Sequence, residues 1–123
     1  MDNTRIRFIA YITTEEHEAD QVASFFGERL ARQFGGATIA PATGFWAADG
    51  DAVKQAYDGP FERQCVLMIQ LSVLPSEKDR ALTCLQETGR EAAACLGLSA
   101  TAFHIEAWQT EAFHTNISLN SPS

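Results

Sequence analysis

Cations are scarce in this chain: nine Lys and Arg stand against 16 Asp and Glu, a net charge of -7. Such a surface repels a phosphate backbone, so direct nucleic-acid binding is disfavoured. Long apolar runs are also missing. No stretch approaches the roughly 20 residues that a membrane-spanning helix needs, and Met1-Asp2-Asn3-Thr4-Arg5 leads straight into a charged strand without a secretory leader. The expected setting is therefore cytoplasmic, with no membrane partner. Cysteine is limited to Cys65, Cys84 and Cys95, odd in number, set in apolar runs and without C-x-x-C spacing. Reduced packing residues are expected, in place of a disulfide framework or zinc knuckle. His17, His104 and His114 show neither H-x-H nor H-x-x-x-H spacing, so no metal site is expected. Gly35-Gly36 follows a helical pattern and is not followed by Gly-Lys-Ser/Thr, which reads as a helix stop. No nucleotide motif and no cofactor are implied.

What the sequence does contain is apolar surface: 46% apolar and 10% aromatic residues in 123 positions. That is enough to build one core, and the length matches one domain. We assign residues 1–114 to that domain and the aperiodic, Ser/Asn/Pro-containing residues 115–123 to a flexible C-terminal tail. The acidic cluster at residues 15–20 reads as a solvated first helical turn.

Residues 5–12 alternate, with Ile6, Phe8, Ala10 and Ile12 on one face and Arg5, Arg7, Ile9 and Tyr11 on the other, which predicts a strand. Thr13-Thr14-Glu15-Glu16 offers a capping box, with Thr13 as its first member. Ala19, Val22, Phe26 and Leu30, with Phe25 and Phe34 beside them, then give one apolar helix face ending at Gly35-Gly36. Pro41 and Gly44 interrupt residues 37–48, which predicts an irregular or bulged edge strand, or two short strands. Residues 49–60 read as a loop with one helical turn around residues 53–57. Residues 62–74 form the most continuous apolar run, as a central strand would. Ser76 is the expected N-cap of a second helix lined by Leu82, Leu85, Gly89, Ala92, Ala93 and Leu96 and stopped by Gly97. Residues 101–110 alternate again as a last strand.

The order strand, helix, strand, strand, helix, strand is that of the split β-α-β unit. The expected fold is thus α+β: a ferredoxin-like two-layer sandwich, with an antiparallel sheet of four to five strands and two helices on one face. The first and third strands lie centrally and the proline-bearing second strand at an edge. The helices then cover Ile6, Phe8, Ala10, Leu67, Ile69, Leu71, Phe103 and Ile105. The opposite face carries Arg5, Arg7, Ile9, Tyr11, Val66, Met68, Gln70, His104, Glu106 and Trp108.

A face bearing Ile9, Tyr11, Val66, Met68 and Trp108 is a large apolar patch for a monomer, and such patches mark an interface or ligand site. A second copy of the chain covers it most simply, since a twofold interface buries the same patch twice. The other covers are the loop at residues 49–60, the tail or a small ligand. His104 and Glu106 sit two apart on this face, with Arg7 and Tyr11 on the neighbouring strand. Two roles are open for this set: an ordinary cross-strand polar pairing, or a general base, His104, with Tyr11 or Arg7 stabilising developing negative charge.

Gly35-Gly36-Ala37-Thr38 together with Gly44-Phe45-Trp46 resembles a Gly-Gly-x-Thr, Gly-x-Trp pattern of small uncharacterised bacterial and phage or plasmid proteins. The resemblance implies a bacterial or mobile-element origin and no chemistry. Two functional readings follow. The first is a non-enzymatic, homodimeric protein–protein interaction module, one form of which is an acidic phage or plasmid inhibitor, using Trp46 and the patch as its interface. The second is a small cofactor-independent enzyme, isomerase or monooxygenase-like, of the dimeric ferredoxin-like type.

Overall fold

The computed structural model describes residues 2–50, 52–98 and 102–118. Four strands, β1 (Thr4–Thr13), β2 (Thr38–Ala47), β3 (Phe61–Val73) and β4 (Phe103–Glu111), and two helices, α1 (Ala19–Phe34) and α2 (Lys78–Leu96), follow in the order β1-α1-β2-β3-α2-β4. The sheet is antiparallel throughout with strand order β2-β3-β1-β4, the ferredoxin-like α+β sandwich. The sides of the sheet divide as the alternation predicts. Ile6, Phe8, Ala10 and Ile12 of β1 and Leu67, Ile69, Leu71 and Val73 of β3 are buried with Val22, Phe26 and Leu30 of α1 and Ala81, Leu85 and Ala92 of α2. Apolar residues at every second strand position and every third or fourth helix position meet in one layer because those are the two side-chain periods.

Helix ends follow backbone demands. Gly35 and Gly97 take left-handed φ values of 89° and 63° at the two C-termini, where a Cβ would be strained. The N-termini differ from expectation. Thr13 is still paired in β1, opposite Val66, so it cannot cap; a 3-10 turn at Glu16–Glu18 precedes α1, and the Glu15 N–H donates to the Glu18 carboxylate at 2.7 Å. Likewise Ser76 lies inside a 3-10 turn, Pro75–Glu77, whose N-cap is Leu74. In α2 the buried face also takes Thr88, whose hydroxyl donates to the Cys84 carbonyl at 2.6 Å and so enters the core without an unsatisfied group.

Three further expectations are corrected. β2 is one continuous edge strand, in register with β3 from Thr38 opposite Gln70 to Ala47 opposite Phe61. Pro41 is tolerated because an edge strand can turn the missing N–H away from its neighbour. The segment after β2 forms a turn at residues 48–50 and holds no helical turn among its described residues; Lys54 pairs with Asp49 and the Tyr57 hydroxyl bonds the Ala52 carbonyl. Cys65 and Cys84 are half-buried, but Cys95 is exposed and is not a packing residue. Residues 112–118 are irregular, with Phe113 and Ile117 exposed; Thr101 and residues 119–123 lie outside the described residues. Among the described residues no helix is long and apolar enough to cross a membrane.

Candidate functional site

Both helices lie on one side of the sheet, and the strand registers place the polar and aromatic residues on the other. Ile9 sits between Gln70 and Glu106, Tyr11 between Met68 and His104, and Arg7 between Ser72 and Trp108. On the outer side of β3, Ala42 faces Val66 and Trp46 faces Glu62. The two tryptophans of this face stay 48% (Trp46) and 44% (Trp108) exposed, while Ile9, Tyr11 and Met68 are half-buried. All six residues expected to form an interface therefore lie on one side of the sheet, but Val66 is buried beneath that surface and only the other five are accessible on it.

Val66 is only 3% exposed although it points away from the helices. Gly44 and Trp46 explain it. A Cβ on Gly44 would come within 3.0 Å of Val66 Cγ2 and within 3.1 Å and 3.2 Å of Trp46 Nε1 and Cζ2. The indole thus folds back along its own strand over the glycine, on the side where Val66 also approaches it, an aromatic covering for an edge-strand glycine. Gly44→Ala is expected to push the indole into water; in a Trp108→Phe background the Trp46 emission should shift to the red, and an unshifted spectrum would contradict this packing.

Beside the indole the sheet surface sinks into a cavity of about 600 Å³. Ala42, Gly44 and Val66 contribute to its small apolar lining, Trp46 stands on the β2 side, and Tyr11, His104 and Glu106 on the other. Gln64 joins them, and its side-chain carbonyl accepts a hydrogen bond from the Thr13 hydroxyl at 3.3 Å. His104 Nε2 lies 2.8 Å from Glu106 Oε2, a pairing of two exposed side chains in which the carboxylate orients the ring. Chemically, the set offers an imidazole held by a carboxylate, a phenolic hydroxyl and an aromatic wall.

Of the four residues considered for catalysis, His104, Glu106 and Tyr11 converge, and Arg7 does not. Its guanidinium engages Gln70 and, at 3.5 Å, the Ser72 hydroxyl, and it does not line the cavity. The convergence of Trp46 with His104 across three strand spacings was not legible from sequence, because it needs the strand order as well as the register. A larger depression of about 830 Å³ lies on the other side, between α2 and β4; its polar side chains are Gln86 and Arg90, and it holds no comparable cluster. Among the described residues no group of three His, Cys, Asp or Glu side chains is placed to hold a metal ion. No protein-family model, no curated protein and no solved structure matches the chain, and the open sheet face with its cavity is the feature on which function has to be argued.

Proposed function

We propose that the chain is a homodimeric protein–protein interaction module that pairs through its open sheet face. The observation that supports this reading is the composition of that face. It presents Ile9, Tyr11, Met68, Trp46 and Trp108, and its strands contribute two cations, Arg5 and Arg7, and two anions, Glu62 and Glu106. A chain carrying -7 overall thus has one apolar surface whose formal charges cancel, where two copies can meet without the repulsion that the whole molecule would impose. The arginines occupy one end of the face and Glu62 the other, so a twofold axis across the strands sets opposite charges together. The three unpaired thiols support a cytoplasmic setting for the pair.

Light scattering tests the reading. The wild-type mass should be that of two chains and should fall to that of one in Trp108→Asp, which buries an unpaired charge in the seam. A wild-type monomer would overturn pairing and leave the face to a different protein, an acidic inhibitor's target among them.

The cavity supports a second reading, the small cofactor-independent enzyme. His104 would serve as general base, positioned by Glu106, with the Tyr11 hydroxyl beside a developing oxyanion. Arg7, which lies outside the cavity, has no part in it.

A further inference from the structure

We propose that the cavity between Trp46 and His104 binds a neutral planar aromatic molecule carrying a hydroxyl group, a phenol in the broad sense. This goes beyond pairing, and one chain supplies every lining residue. The volume of about 600 Å³ falls within the roughly 300–1,000 Å³ of small-molecule sites. The methyl side chain of Ala42 leaves room for a flat ring, and the indole of Trp46, one side of which covers Gly44, gives that ring a surface to stack on.

The polar side selects the functional group. In the neutral imidazole the Nε2–H donates to Glu106, which leaves Nδ1 as an acceptor. The matching group on a ligand is an O–H, and Tyr11 and Gln64 add hydrogen-bonding capacity on the same lining. An anion is disfavoured, because the Glu106 carboxylate lines the cavity and the chain carries -7.

The test is a titration of the full chain with 2-naphthol, followed by amide chemical shifts. Saturable binding is expected, with shifts centred on Tyr11, Ala42, Gly44, Trp46, Val66 and His104. Binding of 2-methoxynaphthalene, which lacks the O–H, and of 2-naphthoate, an anion, should be at least tenfold weaker. Ala42→Leu should abolish binding by filling the floor. His104→Phe alters an exposed side chain that folding does not need, and should weaken 2-naphthol at least tenfold, to the level of the methoxy compound. Trp108→Asp lies outside the cavity and, as a single chain, should bind at least as tightly as the paired wild type, in which the seam covers Tyr11 and Trp46 of the same lining. Loss of pairing and loss of ligand are thereby read apart. The proposal is overturned if the wild type shows no saturable binding, if the methoxy compound or the anion binds as well, if His104→Phe changes nothing, or if Trp108→Asp loses the ligand.

Discussion

Phe26→Ala is expected to destabilise the fold by about 3–5 kcal/mol, a large part of the roughly 5–15 kcal/mol that holds a domain of this size together. Phe26 is fully buried on the sheet-facing side of α1, among Val22, Leu30 and the inward residues of β1 and β3. Its ring also meets Phe103 of β4, with centroids 5.6 Å apart and planes tilted by 58°, the inclined arrangement that aromatic quadrupoles favour. Truncation removes the transfer free energy of a ring and leaves a cavity that two helices and a sheet cannot close without moving together. Phe25, one position earlier, provides the contrast. It is half-buried and lies under the Arg29 guanidinium, 5.0 Å from its centroid, so Phe25→Ala should cost roughly half as much or less. Denaturant titration of both variants distinguishes the cases. If the Phe26 variant lost less than about 1.5 kcal/mol with an unchanged m-value, the helix layer would not pack as described.

The same packing shows what the sequence could disclose. Ile6, Phe8, Ala10 and Leu67, Ile69, Leu71 declare an inward face because a strand has a period of two, and Val22, Phe26 and Leu30 do so because a helix has 3.6; neither needs tertiary information. Helix starts were less legible. Thr13 and Ser76 have capping side chains, but whether a Thr or Ser caps depends on where the preceding strand releases the chain, and β1 holds Thr13 in its ladder. β2 looked broken because Pro41 and Gly44 each weaken a strand. In the sheet, the proline lies on the outer strand and the glycine lies under Trp46, so both penalties are met locally. The signal for the second was present in Gly44-x-Trp46, two residues that must share a face at strand spacing. The candidate site was legible in part. His104 and Glu106 share a face by alternation alone, whereas their meeting with Tyr11 depends on β1 lying beside β4, and with Trp46 on the order of all four strands.

Gly89→Ala is expected to destabilise the chain by about 1–2 kcal/mol although it places the best helix former where one of the poorest stands. Gly89 is buried in the middle of α2 with an ordinary helical φ, so the conformational argument alone favours alanine by about 1 kcal/mol. Space decides against it. A Cβ there would lie 2.6 Å from Phe103 Cδ2 and 2.7 Å from Cε2, closer than carbon atoms approach. The Phe103 ring can give only toward the depression between α2 and β4 that it lines, because Phe26, itself fully enclosed, meets it. The missing side chain therefore lets the Phe103 ring of β4 seat against the α2 backbone, and an added methyl would displace it from Phe26. A double-mutant cycle makes the claim sharp. In a Phe103→Ala background the obstacle is gone, and Gly89→Ala should become stabilising by up to about 1 kcal/mol, which reverses its sign. Equal effects of Gly89→Ala in the two backgrounds would mean that the glycine serves the helix backbone alone and that the close approach of α2 to β4 does not govern packing at this end of the sheet.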